Sequence, residues 1–406
     1  MRQPDVAMIS PYPGQTDEAA VPSGVAVYTE RLASALTEEG MEVRVVAPEI
    51  EGEPSLSRAG GVTIERGFRR GATALPRAAR RASRSQAPLV HVQHETFLYG
   101  GPSAIPGVIP ALAGIRMRHQ GPVVTMHQVV DPATVDHQFT VTHRVDAPHQ
   151  LARAGLAGVQ GSVRRLGATT IVHERAFTKV MPEAVVVPHG IDAVAAAAAP
   201  EIARAKRAFG ARPDRLTALC FGFLAPYKGF EVALQAAALA GERVDLVVAG
   251  GSHPRLHGRD PYAEDLRRRF GDVARFVGYV PDAKVKDVFR AADVLLLPYA
   301  APFASSGPFA HALAYGTPVL CSPPLAQCVD APDSLVAPLE PQGLAHRLRQ
   351  LAHDASALHD LSADVRTLAR GRSWREVARL HIALYEEVID ASRTRGRGLR
   401  PRKPRG

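Results

Sequence analysis

Cysteine is scarce in this chain: 406 residues hold three, Cys220, Cys321 and Cys328, and no two form a CxxC pair. That excludes a disulfide framework and a thiolate zinc site, and reduced structural thiols are expected instead. There is no apolar run of ~18 residues either, so no transmembrane helix is expected. The first residues, MRQPDVAMISPYPG, lack the long apolar core of a secretory signal, which makes the cytoplasm the expected location. No His-x3-His pair falls on a predicted helix and no DxD-like carboxylate pair stands out. Neither a metal nor another cofactor is therefore expected. Acid is missing from the C-terminus, where RTRGRGLRPRKPRG carries seven Arg or Lys and no Asp or Glu. Taking those seven from the net charge of +9 leaves +2 for the body. A charge so confined does not mark a nucleic-acid binder. The segment 393–406 is expected to be a basic disordered tail, making at most weak contact with an anionic surface.

What is present fits a soluble α/β protein of two domains, with 46% hydrophobic and 22% charged residues. Asp5 to Ser10 reads as a strand, Ala26 to Glu39 as a helix and Glu42 to Ala47 as a second strand. A loop containing Ser23 and Gly24 joins the first two. This order is a βαβ unit and opens a parallel sheet. Further short apolar runs at Leu89–Val92, Val123–Met126, Thr170–Val172 and Val185–Val187 continue it. Their C-terminal ends are rich in polar side chains: His91, Gln93, His94 and Glu95; His127 and Gln128; His173 and Glu174; His189. Ligands of open α/β sheets bind outside such strand ends, so four clusters there predict a shared cleft.

The segment 190–215 reads as a linker with a connecting helix. A second α/β series then runs through Leu216–Phe221, Phe230–Ala240, Val244–Ala249, Tyr262–Phe270, Val285–Ala292 and Val294–Leu297. After the last strand comes a loop with Ser305, Ser306 and Gly307, and Phe309 to Tyr315 opens a helix. A serine-glycine loop at a helix N-terminus suits an anion, because free N–H groups and the positive dipole end converge there. An ordinary capped βα turn has the same appearance. Lys228, in the loop PYKGF after Leu216–Phe221, could neutralise phosphate charge beside it. Two or three amphipathic helices end the chain, the last opened by Trp374 with Leu380, Leu384 and Val388.

Taken in order, FGFLAPYKGFEVALQA (221–236), AGGS (249–252), FVGYVPDAKVKDVFRAADVLLLPY (276–299) and HALAYGTPVL (311–320) resemble the C-terminal domain of glycosyltransferase family 4. PSGVAVYTERLASALTEEGMEVRVV (22–46), VVTMH (123–127) and VVVPHGID (185–192) are similar to the family's N-terminal half. The resemblance covers residues 5–390 and implies the GT-B fold: two Rossmann-like, doubly wound parallel-sheet domains facing across a cleft. It places an acceptor-side domain at 1–192 and a nucleotide-sugar-binding domain at 193–375. A helix at 376–392 would cross back to the first domain. It further implies a retaining enzyme that uses a nucleoside-diphosphate sugar and no metal. Gly24 would lie under the donor phosphates and His127 near the donor sugar, with Lys228 on the diphosphate. Gly222, Ser305, Ser306 and Gly307 would bind phosphate, while Gly278 and Tyr279 would flank the base. His94, Glu95 and Gln128 would face the acceptor. Three positions depart from the family. Phe223 stands where an arginine is common, and Phe303 and His311 replace a pair of glutamates. His311 can still hydrogen-bond a ribose hydroxyl.

The reaction so implied is transfer of a hexosyl or N-acetylhexosaminyl group to an acceptor hydroxyl. Lys228 and helix-terminal N–H groups would stabilise the departing diphosphate. A GT-B epimerase, a glycogen-phosphorylase-like enzyme and a catalytically degenerate binding protein remain the alternatives.

Overall fold

The computed structural model describes residues 3–14, 23–119, 121–143, 145–252, 260–300 and 305–398. These fall into two compact units. The first collects Met1–Val135, His149–Gly190 and Trp374–Gly406, and the second Asp136–Pro148 and Ile191–Ser373.

The first unit begins with β1 (Val6–Ile9), α1 (Gly24–Glu38), β2 (Val43–Pro48), β3 (Leu56–Ala59) and β4 (Val62–Phe68). It continues with α2 (Ala74–Arg84), β5 (Leu89–His94), α3 (Val108–Arg116) and β6 (Val123–Met126). The chain leaves for α4 (His137–Thr142) in the second unit, then returns with α5 (His149–Leu166), β7 (Thr169–Val172) and β8 (Val185–Val186). The sheet order is β3-β4-β2-β1-β5-β6-β7-β8, parallel except where β3 pairs antiparallel with β4. Strands β1 and β5 are buried along their whole length; β1 accordingly reads as an unbroken apolar run, whereas β5 carries His91, Gln93 and His94 into the interior. From β1 the chain builds outward through β2 and β4, then restarts on the other side with β5. The ends of β1 and β5 therefore form the switch point where a crevice opens.

The sequence reading places no element between Ala47 and Leu89. The structure puts the β3–β4 hairpin and α2 there. Val62 and Ile64 alternate inward against Thr63 and Glu65, a period-2 signal too short to stand out beside the preceding loop.

In the second unit α6 (Ala199–Ala208), β9 (Leu216–Phe221), α7 (Phe230–Ala240), β10 (Val244–Ala249) and α8 (Pro261–Phe270) come first. After them run β11 (Ala274–Phe276), α9 (Asp282–Ala291), β12 (Val294–Leu297), α10 (Gly307–Tyr315) and β13 (Val319–Cys321). Three helices complete it: α11 (Pro323–Val329), α12 (Pro341–His353) and α13 (Ala355–Ala369). All five strands are parallel in the order β11-β10-β9-β12-β13, which puts the switch point between β9 and β12.

The last helix, α14 (Trp374–Gly398), belongs to the first unit and packs on α1. It turns Val377, Ala378, His381, Leu384 and Tyr385 inward. Leu380, expected on that face, is 46% exposed, because positions 377, 381 and 384 set the register and 380 falls beside them. The helix also runs to Gly398. The first part of the expected disordered tail is thus helical, and 399–406 lie outside the described residues. All three cysteines are buried and none is in a disulfide among the described residues. Among the described residues no helix is long and apolar enough to cross a membrane.

One glycine lets the second switch point close. Gly229 has φ +67°, and a Cβ there would stand 2.0 Å from the carbonyl oxygen of Pro298, just past β12. Gly229→Ala should therefore destabilise by ~1–3 kcal/mol through left-handed strain and overlap together. Chemical denaturation that shows no loss would contradict this account of the approach.

Candidate active site

At the second unit's switch point the polypeptide gathers a cation, a helix end and an open backbone. The carbonyl run of β9 ends at Gly222, whose N–H donates to Ala249 O at 2.9 Å. Its φ of +101° turns the chain sharply, and a Cβ there would lie 2.9 Å from Lys228 Nζ and 3.4 Å from Pro308. The absent side chain is what leaves room between the lysine and the first turn of α10. Ser306 caps that helix: Phe309 N–H donates to its Oγ at 3.3 Å, and Ser306 Oγ donates to Tyr299 Oη at 3.4 Å. Pro308 lacks an N–H where none is needed. Ser305 Oγ is buried with no partner among the described residues.

Lys228 carries the electrostatics. Among the described residues its ammonium has no ion pair and no hydrogen bond; the Tyr227 ring lies 6.0 Å away. Burial without a compensating acid lowers its pKa to about 8. Such a group gains strongly from a phosphate, which would restore its charge and its solvation at once. Nearby, His311 sits one turn into α10 against Phe221 and Phe289, with ring centroids at 5.6 and 5.3 Å. Desolvation by these rings brings it down to about 4, so it is neutral at pH 7. Gly278 (φ +75°) and Tyr279 follow β11, and Tyr279 approaches Gly251 at the end of β10. Tyr279 and Val280 also line a cavity toward α6, together with Phe209 and Arg290. Phe303 lies outside the described residues.

The first unit builds something different at its strand ends, a chain of neutral groups. His173 Nδ1 donates to Val187 O at 2.9 Å, so in the neutral ring its Nε2 must accept. His127 Nδ1 lies 3.2 Å from that nitrogen. His127 Nε2 donates to Gln93 Oε1 at 2.7 Å. On the other side His91 Nε2 lies 2.8 Å from Thr125 Oγ1 and 3.4 Å from the Gln93 amide nitrogen, and its Nδ1 lies 2.6 Å from Tyr385 Oη. Burial first, and neighbouring histidines second, hold His91 and His127 well below the usual imidazole range. Tyr28 packs its ring against His127, His173, His189 and Trp374, at 4.8 to 5.3 Å.

Both ring nitrogens of His127 have partners within the protein and the residue is buried. The acceptor-side trio does come together: Gln128 donates to Glu95 Oε1 at 3.4 Å and accepts from Thr96 N–H at 3.3 Å. His94 stands beside them, its carbonyl accepting from His127 N–H at 2.9 Å. Gly24 opens α1 next to the cap Ser23, with nothing within 4 Å of where a Cβ would be. Among the described residues no group of three or more His, Cys, Asp or Glu is placed to hold a metal.

Comparison with known proteins gives two consecutive matches. The model for Glycosyltransferase Family 4 matches residues 22–195, and that for Glycosyl transferases group 1 matches 215–354. The chain thus carries a Glycosyltransferase Family 4 domain followed by a glycosyl transferases group 1 domain. Its relatives include the 2-deoxystreptamine glucosyltransferase of Streptomyces kanamyceticus, 30% identical over 250 residues. That match takes in 57% of this chain and 63% of the relative, so it spans less than two thirds of the relative's length. Among solved structures, sucrose-phosphate synthase from Thermosynechococcus elongatus aligns with a TM-score of 0.69 at 19% identity. It covers 96% of this chain and 100% of its own. Anabaena HepE in complex with UDP aligns at 0.68 with 14% identity, covering 94% and 100%. At such identities the likeness establishes the fold, which is GT-B.

Several residues of this chain that shape the site carry no sequence signal of their own. Tyr28 looks like one more apolar-face residue of α1. Gln93 and Thr125 look like ordinary strand positions, and Tyr385 lies 294 residues from the His91 that it contacts. The neutral histidines also set a pH limit. His94 and His381 are brought down by burial to about 4. In the unfolded chain they take up protons below about 6.5, so stability present above that pH is lost as pH falls toward 4. Each should contribute up to about 1.4 kcal/mol per pH unit in this window. Melting temperatures that stay level from pH 7 to pH 4.5 would show that these rings are not held neutral.

Proposed function

We propose that this glycosyltransferase moves a hexose-type sugar from a nucleoside diphosphate to an acceptor hydroxyl with retention of configuration. The observation that carries the reading is the desolvated Lys228, without an ion-pair partner among the described residues, beside Gly222 and the capped N-terminus of α10. As the glycosidic bond to the diphosphate breaks, negative charge grows on the β-phosphate oxygen. A lysine and helix-terminal N–H groups aimed there stabilise the transition state more than the ground state. Phe223 contributes no second cation, so Lys228 and the helix end share the task. Neutral His311 fits a ribose hydroxyl better than a phosphate. Tyr279 and Gly278 are assigned to the base, and Ser305 and Gly307 to phosphate oxygens. His94, Glu95 and Gln128 are assigned to the acceptor. UDP is the first nucleotide to try, since HepE was solved with it, and a glucosyl donor follows from the S. kanamyceticus relative. The acceptor is a small molecule or glycan hydroxyl.

The lysine makes the pH dependence of binding diagnostic. Nζ is charged below about 8 in the free protein and must be recharged on binding above it. UDP affinity by calorimetry should therefore fall about tenfold between pH 7 and pH 9. In Lys228→Ala affinity should be low and nearly independent of pH, and kcat/KM should drop by ~2–4 kcal/mol of transition-state stabilisation. Wild-type turnover in the mutant would remove Lys228 from the mechanism. Tight UDP binding without transfer across a panel of acceptors would instead favour a binding protein.

His311→Ala should weaken uridine and UDP by similar factors if the ring meets the ribose. A loss confined to UDP would move it to the phosphates. Unchanged affinity for both would leave it as packing between Phe221 and Phe289.

A further inference from the structure

The two faces of the first unit's sheet differ in charge. Helix α1 connects β1 to β2, moving one way across the sheet, whereas α2, α3 and α5 precede β5, β6 and β7, moving the other way. Right-handed crossovers put the two sets on opposite faces. On the first face α1 and α14 carry acids, among them Glu30, Glu38, Glu376 and Glu386. On the second, α2 packs on α3 and α3 on α5, and the three helices contain no Asp or Glu at all. The deficit extends beyond them, since residues 66–130 hold one acid, Glu95, and 147–173 hold none.

Arginine fills this layer. Arg77, Arg80 and Arg84 lie on the outer side of α2, opposite the buried Leu75, Ala78, Ala79 and Ala82. Arg116 and Arg118 flank the end of α3, and Arg164 and Arg165 close α5. All seven are exposed and none has an ion-pair or hydrogen-bond partner among the described residues. Helix dipoles explain basic residues in last turns, but they equally favour acids in first turns, and all three helices have none there. The dipole therefore does not account for the pattern. Apolar side chains stand out among the charges: Met117, between Arg116 and Arg118, is 82% exposed, Ile109 53% and Leu151 65%.

We propose that the α2–α3–α5 layer is a docking surface for an anionic lipid bilayer. Unpaired guanidinium groups meet the headgroup charge, and Met117, Ile109 and Leu151 enter the boundary beneath it. The exposed apolar side chains favour a bilayer over a nucleic acid, which would offer them nothing to enter. The surface belongs to the folded helices and does not need the C-terminal tail, where weak anionic contact was expected from the sequence.

Vesicle co-sedimentation of the full chain tests this, with phosphatidylcholine alone and with phosphatidylcholine containing about a third phosphatidylglycerol. Binding should require the anionic lipid. The variant R116A/R118A/R164A/R165A should bind at least ~100-fold more weakly, at about fivefold per arginine. Deleting 399–406 should matter less than this. At about 0.5 M salt, where screening removes most of the charge term, Met117→Ser should lower what binding remains. Unchanged melting temperatures in the variants establish that they are folded. The proposal is overturned if the full chain ignores anionic vesicles, or if tail deletion abolishes binding while the arginine variant retains it. It is likewise overturned if the arginine substitutions abolish binding to a homopolymeric RNA but leave vesicle binding unaltered.

Discussion

Parallel strands covered by helices on both faces have no side on which to carry polar groups, so chemistry can appear only where they end. That constraint organises both sheets of this protein. In β1 and β12 the strand positions are entirely apolar and in β9 nearly so, and polar residues collect at the C-terminal turns; β5 is the exception, with His91 and Gln93 buried inside the strand. Each sheet reverses direction once, and the loops on either side of the reversal diverge. The two sheets thereby obtain an open edge in the same topological way. What each then does with it differs.

In the second unit the edge is left electrostatically unfinished. A desolvated, partly buried lysine without an acid and a buried serine hydroxyl without a partner, both among the described residues, are each costly to keep beside the capped helix end. Their cost is offset when an anion arrives, which is the sense in which such a site is preorganised. In the first unit the edge is finished internally. Histidines 91, 127 and 173 are buried and tied by hydrogen bonds to Tyr385, Gln93 and Val187, and both ring nitrogens of His127 have protein partners. A buried polar chain of this kind rigidifies what surrounds it. The strand-end turn carrying Gln128 is thereby fixed, next to Glu95.

The same separation of roles extends to the surface. Helices on one face of the first sheet bear mixed charges, and those on the other bear arginine alone. Net charge hides this, because acids elsewhere balance the count. The arrangement of charge across the sheet carries the information, and it follows from crossover handedness, which sends helices that move one way across the sheet to one face and those that move the other way to the opposite face.

The sequence by itself determined the repeating α/β order, because apolar runs of strand length and glycine-bearing turns are local signals. It also determined the contents of the second site. Gly222, Lys228, Ser306 and Gly307 all lie within turns of the strands they follow, so motif and geometry coincide. Tertiary structure decided what depended on distant partners. That His127 meets Gln93 and His173, and that His91 meets Tyr385 on the last helix, are contacts of this kind. Leu380 was turned outward by packing register, and the basic stretch after Arg393 was drawn into α14. Local sequence reports the conformation a segment prefers; which nitrogen is occupied or which helix face is covered depends on residues tens to hundreds of positions away.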